Sequence, residues 1–273
     1  MSIKLIAFDL DGTFLYDDKS IPEENMRLLK RASECGIHIV PATGRVYSVL
    51  PEELKALPAC RYLIGANGAL VSDTREAKEI YRAEIPLERA LEAYAYADSQ
   101  GLSYDCYLDN HGYMSAHMYD TIHDIVTIPG ILNLIRTNRT RVDSLTDYLR
   151  ERGDALQKIQ FYVSDPEKKA RITAELREKF PDLCTTSSLP MNIEINGGGA
   201  SKGQALSALC AHLGIDIRDT IALGDGSNDL DMIKTAGTGV AMANAVDELK
   251  AAADFVTLSN MECGFARALE KFM

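Results

Sequence analysis

The sequence predicts an α/β fold: a doubly wound, mostly parallel, Rossmann-like sheet as the core, with an α+β cap domain inserted into it. Three observations lead to this prediction. Short apolar runs, typical of strands buried on both faces, alternate with amphipathic helical segments. Polar residues follow several runs directly, at the strand ends where open α/β sheets bind ligands. The pattern changes after residue 85 and returns near residue 191.

The first apolar run, residues 4–8, ends in two carboxylates separated by one residue, Asp9 and Asp11, followed by Gly12. Close carboxylates repel each other unless a cation or a proton lies between them. Oxygen ligands favour a hard cation, and Mg²⁺ is bound through one or two carboxylates together with substrate phosphate oxygens. An ordinary acidic turn after a strand is the alternative.

The second strand is predicted over residues 37–42, after a helix whose first turn Pro22 suits. Thr43 and Gly44 follow this strand, and a helix is expected over residues 46–57. A hydroxyl and free backbone amides at a helix start can bind an anion. A plain N-cap by Thr43 is the alternative, so phosphate binding here is a hypothesis.

A third strand over residues 61–66 leads to Asn67, and residues 71–82 suggest an edge hairpin. The side chain of Asn67 either reaches the same sheet edge or serves only the turn that Asn-Gly favours. Both interpretations stay open at this point.

The domain boundaries follow from the change of pattern. Residues 1–85 form the first part of the core, residues 86–190 the inserted cap, and residues 191–273 the second part of the core. Within the insert, helices are expected over residues 87–99 and 166–180. Short strands are expected between these helices, over residues 103–108, 112–117 and 159–163.

A strand over residues 192–196 is expected to return to the core and deliver Lys202 to the same sheet edge. Ser201 would cap a helix over residues 202–213, which places Lys202 at a helix start. A cation there opposes the helix dipole, so a carboxylate or an anionic ligand close to Lys202 is the better account.

A second acidic group follows the apolar strand predicted over residues 220–223. It contains Asp225, Asn228 and Asp229, and N-capping of the next helix is the alternative explanation. The remaining elements are two short strands and a terminal helix, over residues 239–242, 254–258 and 265–272.

Four motifs, in this order, resemble those of the haloacid dehalogenase-like (HAD) superfamily: Asp9-Leu10-Asp11-Gly12-Thr13, Ala42-Thr43-Gly44-Arg45, Lys202 within Gly199-Ala200-Ser201-Lys202-Gly203, and Gly224-Asp225-Gly226-Ser227-Asn228-Asp229. The long insert is similar to the large α/β (C2-type) cap of the Cof-type phosphatase branch. The tail, Gly239-Val240-Ala241-Met242-Ala243-Asn244-Ala245, resembles the same branch.

This resemblance implies a Mg²⁺-dependent phosphomonoesterase that hydrolyses small phosphorylated metabolites through an aspartyl-phosphate. Sugar phosphates are the first expectation, with flavin mononucleotide (FMN) and pyridoxal phosphate as further candidates. Asp9 is implied as the nucleophile, and Asp11 as the general acid and then the base. The implied phosphate-binding residues are Thr43, Gly44, Lys202 and Asn228. The implied metal ligands are Asp9, the backbone carbonyl of Asp11, Asp225 and Asp229, with Asn228 as the alternative to Asp229.

Two other functions stay open. A phosphomutase would use the same Asp9 and Asp11 to move a phosphoryl group between positions. A receiver-like signalling domain also combines an acidic pocket, a hydroxyl and a lysine, but the large insert and Asp11 argue against it. A dinucleotide-binding domain is weaker, because no Gly-x-Gly-x-x-Gly follows the first strand.

The composition limits the partners. The formal net charge of −11 disfavours nucleic acids and anionic membranes. No apolar run approaches the roughly 20 residues needed to span a bilayer. Six cysteines without Cys-x-x-Cys spacing argue against a zinc site and a disulfide framework, and suggest a reducing, cytoplasmic setting. The oligomeric state is unknown.

Overall fold

The computed structural model describes residues 3–45, 47–109 and 111–273. Its strands are β1 Leu5–Phe8, β2 His38–Pro41, β3 Tyr62–Gly65, β4 Leu70–Asp73, β5 Lys78–Arg82, β6 Ser103–Leu108, β7 His111–Ser115, β8 Arg139–Val142, β9 Lys158–Tyr162, β10 Leu183–Thr186, β11 Asn192–Gly197, β12 Thr220–Gly224, β13 Thr238–Ala241 and β14 Phe255–Val256. Its α-helices are α1 Glu23–Glu34, α2 Glu52–Lys55, α3 Leu87–Ser99, α4 Ala116–Thr121, α5 Pro129–Asn138, α6 Leu145–Arg152, α7 Pro166–Lys179, α8 Lys202–Leu213, α9 Leu230–Thr235, α10 Asp247–Ala252 and α11 Gly264–Phe272. Among the described residues, no helix has both the length and the apolar character that crossing a membrane requires.

The chain divides into two compact units, of which the first contains residues 3–82 and 201–273. Its main sheet has five parallel strands in the order β14-β13-β12-β1-β2. Ile6 and Phe8 of β1 pack in one apolar cluster with α1 and α11. Leu5 and Ala7 pack in another cluster with α8, α9 and α10. Helices therefore cover both faces of the sheet, which confirms the predicted doubly wound α/β core.

The segment after β2 differs from the prediction. The helix expected over residues 46–57 is replaced by a short 3₁₀ turn, Tyr47–Val49, and by α2, which begins directly after Pro51. Proline at this position has no amide hydrogen to continue a preceding helix, so the two pieces stay separate. Residue 46 lies outside the described residues. The third strand, β3, forms an antiparallel sheet with β4 and β5.

The second unit, Ala83–Ala200, contains a six-stranded mixed sheet in the order β10-β11-β9-β6-β7-β8. Helices α3, α6 and α7 pack against one face of this sheet. The strand Asn192–Gly197, predicted to return to the core, pairs instead with β9 and β10 in this unit. The structure therefore places the second boundary after Ala200 rather than after Pro190. It also follows that no core strand delivers Lys202, contrary to the expectation.

Lys202 is instead the first residue of α8. The side-chain oxygen of Ser201 accepts a hydrogen bond from the backbone nitrogen of Gln204 at 3.1 Å, which is the expected N-cap. The apolar side of α8, including Leu206 and Leu209, packs in the same cluster as Leu5 of β1. This packing fixes the start of α8 in the first unit.

Candidate active site

The carboxyl ends of β1, β2 and β12 lie side by side at one edge of the core sheet. The register shows this directly, because Phe8 is paired with Pro41 on one side and with Leu223 on the other. The polar residues that follow these strands therefore emerge together at this edge: Asp9, Thr43 and Asp225.

Lys202 is the buried cation of this group. Its Nζ donates to Oδ1 of Asp9 at 2.8 Å and to Oδ1 of Asp229 at 2.5 Å, and its side chain is 0% exposed. Burial alone would lower the pKa of the ammonium group, but the charges of Asp229 and Asp9 outweigh burial and raise it. The carboxylate partners expected from the position of Lys202 at a helix start are therefore present.

Three carboxylates converge beside Lys202. Each of Asp9, Asp225 and Asp229 offers an oxygen, and these oxygens all lie within 4.8 Å of one another. Oδ1 of Asp225 accepts a 2.7 Å hydrogen bond from the hydroxyl of Thr13. Oδ2 of Asp229 accepts from the backbone nitrogens of Asp225 and Gly226, both at 2.9 Å. Asp229 thus fixes the turn that holds Asp225 in place.

The cluster of Asp9, Asp225 and Asp229 contains more carboxylates than Lys202 alone can balance. Burial raises the pKa of Asp9 well above its ordinary value, in spite of the opposing effect of Lys202. Burial and the charge of Asp229 raise the pKa of Asp225 to about 7. A divalent cation between the buried Asp9 and Asp229 and the half-buried Asp225 would keep these carboxylates ionised. The all-oxygen donor set fits a hard divalent cation.

The carboxylate of Asp11 is held by a different set of residues. Arg45 binds both of its oxygens, with Nε to Oδ2 at 2.9 Å and Nη2 to Oδ1 at 2.7 Å. The Nζ of Lys19 lies 2.8 Å from Oδ1. Burial would raise the pKa of Asp11, but Arg45 and Lys19 outweigh it and lower the pKa to about 2. The side chain of Asp11 is therefore engaged apart from the cluster of Asp9, Asp225 and Asp229, and a metal contact through its backbone carbonyl stays a prediction.

Thr43, Gly44 and Asn228 lie at the same edge of the sheet. Thr43 is buried, and its hydroxyl accepts a 3.2 Å hydrogen bond from the backbone nitrogen of Arg45 within the turn after β2. Because α2 begins only after Pro51, Thr43 does not cap that helix. Gly44 is half-buried in the turn after β2. The Nδ2 of Asn228 donates to Oδ1 of Asn67 at 3.2 Å. Binding of phosphate by these residues stays a prediction.

Sequence reasoning missed the contacts that three residues make in the site. Thr13 belongs to the first motif, but the hydrogen bond from its hydroxyl to the carboxylate of Asp225 was not predicted. Lys19 contacts Asp11 from an acidic, loop-like segment whose sequence carries no distinct signal. Arg45 ends the second motif, and its pairing with Asp11 was missed. For Arg45 the signal was available, because an arginine and an acid at neighbouring strand ends are within reach of each other.

Gly12→Ala is expected to weaken binding of a divalent cation roughly tenfold or more, because the new Cβ would lie 2.3 Å from Oδ2 of Asp225. Gly12 also has φ +81°, which costs a residue with a Cβ about 1–3 kcal/mol. Gly36→Ala is the matched control, since Gly36 has φ +76° but nothing within 4 Å of its Cβ position. Calorimetric titration of both variants with Mg²⁺ and Mn²⁺ tests this, and equal affinities in the two would contradict it.

Comparisons with known proteins agree with this geometry. A family model described as haloacid dehalogenase-like hydrolase matches residues 6–269. The 5-amino-6-(5-phospho-D-ribitylamino)uracil phosphatase YcsE of Bacillus subtilis is 32% identical over 274 residues, covering 100% of this chain and 97% of that protein. The phosphatase YwpJ of the same organism is 30% identical over 292 residues, covering 99% of this chain and all of that protein.

Solved structures give the same result. The crystal structure of a haloacid dehalogenase-like hydrolase from Bacteroides thetaiotaomicron matches with a TM-score of 0.82 and 28% identity over 100% of both chains. A haloacid dehalogenase-like hydrolase from B. subtilis matches with a TM-score of 0.84 and 28% identity, covering 99% of this chain and 100% of that one.

Proposed function

Because the chain belongs to the haloacid dehalogenase-like hydrolase family and is a phosphatase of its Cof-type branch, we propose that it is a Mg²⁺-dependent phosphomonoesterase that works through an aspartyl-phosphate. The observation that carries the proposal is the position of Asp9. Asp9 follows the last residue of β1, at the edge of the sheet where open α/β sheets bind ligands. Its carboxylate accepts a hydrogen bond from the buried Lys202 and lies next to that of Asp225. Such a site can offer a nucleophile and compensate the charge of a phosphate.

In the proposed first step, a carboxylate oxygen of Asp9 attacks the phosphorus in line with the leaving oxygen. The bond from phosphorus to that oxygen breaks, and Asp11 donates the proton that the leaving oxygen takes up. In the second step Asp11 takes a proton from water, and the water oxygen attacks the phosphorus of the aspartyl-phosphate. The bond between phosphorus and the Asp9 oxygen breaks, which releases phosphate and restores the Asp9 carboxylate. Lys202 counters negative charge in both steps, and Thr43, Gly44 and Asn228 are the proposed donors to the phosphoryl oxygens.

Asp11 is not poised as an acid in the arrangement described. It is ionised and bound by Arg45 and Lys19. Donating a proton therefore requires that Asp11 exchange these contacts for one with the leaving group and gain a proton. Loss of two positively charged neighbours raises the pKa of a carboxyl, so this exchange and the uptake of a proton favour each other.

The carboxylates of Asp9, Asp225 and Asp229 fit Mg²⁺, together with the backbone carbonyl of Asp11 that the resemblance to the family implies. When bound, Mg²⁺ would neutralise charge on the phosphoryl oxygens and keep the buried carboxylates ionised. Asn228 is the alternative to Asp229 as a contact of the ion. Asp229 is already engaged by Lys202 and by two backbone amides, which favours a supporting position for it.

The proposed substrates are small phosphorylated metabolites. Sugar phosphates come first, and FMN and pyridoxal phosphate are further candidates. The relative YcsE is named for a substrate that carries a phosphorylated ribityl chain, which supports a polyol or sugar next to the phosphate. A cytoplasmic location, and the absence of nucleic-acid and membrane partners, stay predictions from the sequence.

We expect phosphate release from at least one member of a panel of sugar phosphates, nucleotides, FMN and pyridoxal phosphate. Release should depend on Mg²⁺, because Asp9 and Asp225 lose their compensating cation when a chelator removes it. The measurement is colorimetric phosphate release with Mg²⁺, with chelator, and with Mg²⁺ restored. Release unaffected by chelator would contradict the metal-dependent mechanism. An isomerised phosphate ester without free phosphate would instead indicate a mutase.

A further inference from the structure

One segment next to the site has an unusual backbone. Ala66, Asn67 and Gly68 follow β3 with φ angles of +49°, +60° and +92°. Residues with a Cβ seldom adopt this left-handed region, and each instance costs about 1–3 kcal/mol unless asparagine or glycine relieves it. Such a conformation persists where the surrounding structure imposes it, so its contacts indicate what the segment does.

The segment 66–68 joins two of the motifs that form the site. The backbone nitrogen of Asn67 donates to the carbonyl of Thr43, and that of Ala66 donates to the carbonyl of Arg45, both at 3.0 Å. On the other side, a Cβ on Gly68 would lie 2.2 Å from the carbonyl oxygen of Ser201 and 2.8 Å from the backbone nitrogen of Lys202. The turn therefore fixes the spacing between the loop after β2 and the start of α8.

The side chain of Asn67 reaches the fourth motif. It is 3% exposed, and its Oδ1 accepts the hydrogen bond from Nδ2 of Asn228. Oδ1 of Asn228 in turn lies next to Gly226, 2.5 Å from the position of a Cβ on that glycine. The orientation of the Asn228 amide is thus set by Asn67 on one side and by the turn at Gly226 on the other.

We propose that Asn67 is a positioning residue for phosphate binding, acting through the amide of Asn228. This deepens the proposed function, on which it rests, by adding a residue that no sequence motif assigned. Asparagine meets both requirements of the position: it tolerates the left-handed backbone and it offers an uncharged acceptor. Aspartate would also offer an acceptor, but its negative charge would lie close to the bound anion and repel it.

The test removes the amide while keeping the backbone. Asn67→Gly is suitable because glycine adopts φ +60° without strain, so the variant should fold. We expect its affinity for inorganic phosphate, measured by calorimetry with Mg²⁺ present, to fall roughly 10-fold, and kcat/KM to fall roughly 10- to 100-fold. Ala77→Gly is the matched control, because Ala77 is exposed in the β4–β5 turn with φ +49°. It should retain both values within about twofold.

A double-mutant cycle separates this role from a structural one. If Asn67 acts through Asn228, the variant carrying both Asn67→Gly and Asn228→Ala should bind phosphate as weakly as Asn228→Ala alone, within about twofold. Additive losses, or wild-type phosphate affinity in Asn67→Gly, would overturn the proposal. The calorimetric readout needs no turnover: a wild-type protein that binds phosphate but hydrolyses nothing would refute only the proposed function. A wild-type protein that does neither would refute both.

Discussion

Asp9→Asn is expected to lower turnover by about four orders of magnitude or more, because an amide is not a nucleophile towards phosphorus. The fold should remain intact. The pKa of Asp9 is raised by burial, so a neutral side chain suits its surroundings, and the amide oxygen can still accept from Lys202. We therefore expect the thermal midpoint of the metal-free variant to equal or exceed that of the wild type. Phosphate release and thermal unfolding measure the two effects.

Asp247→Asn is the matched control for this substitution. Asp247 begins α10 with a fully exposed side chain and lies outside the site, so the same change of charge should leave turnover within about twofold of wild type. A purified Asp9→Asn protein that still turned over at more than a few per cent of the wild-type rate would be incompatible with nucleophilic catalysis by Asp9.

Lys202→Met is expected to remove activity and to destabilise the protein by about 3–5 kcal/mol near neutral pH. The reason is that the two carboxyl groups of Asp9 and Asp229 would lose the buried ammonium group that both of them bind. Separately from the loss of stability, removal of a preorganised cation beside the phosphate should lower kcat roughly 10²- to 10³-fold. Urea unfolding of the metal-free protein and phosphate release of the metal-loaded protein measure the two losses.

The pH dependence of this destabilisation has a definite sign. Lys202 opposes the rise in the pKa of Asp9, so removing it raises that pKa further in the folded state. A carboxyl whose pKa is higher folded than unfolded contributes stability at low pH and loses it as pH rises through the folded pKa. The difference in stability from the wild type should therefore be smaller at about pH 5 than at about pH 7.

Lys234→Met is the control, at an exposed position on α9, and should change neither stability nor activity. If Lys202→Met were as stable as the wild type at both pH values, the contacts of Lys202 with Asp9 and Asp229 would not contribute the expected free energy of unfolding.

Much of the core and of the site could be predicted because their signals are local. The run Leu5–Phe8 is apolar on both faces, which indicates a strand with helices on either side, and the acids follow it directly. The start of α8 was predictable from Ser201, a good N-cap in front of a helical segment. From these signals it follows that Asp9, Thr43 and Asp225 meet at one edge, since parallel strands share that edge.

The strand Asn192–Gly197 shows where the reasoning failed. Its sequence alternates polar and apolar residues, whereas a strand in a parallel core sheet is apolar on both faces. This alternation pointed to the second unit, where Ile193 and Ile195 pack against the helices.

The contact between Lys19 and Asp11 could not be predicted in the same way. The ammonium group of Lys19 reaches Asp11 only because the loop folds back, with Lys19 itself at φ +71°. No sequence pattern specifies that path, since it depends on how the whole loop packs. For the same reason the hydrogen bond between Asn67 and Asn228, 161 positions apart in the chain, appears only in the folded structure.

The central claim, that Asp9 becomes phosphorylated, can be tested most directly by trapping the intermediate. Asp11→Asn removes the proposed base of the second step, while p-nitrophenyl phosphate has a leaving group that needs no acid in the first. We predict a stoichiometric burst of p-nitrophenol with Mg²⁺. Acid quenching, borohydride reduction and peptide mass spectrometry should then find homoserine at position 9. A burst with homoserine at another aspartate, or with none, would contradict the mechanism.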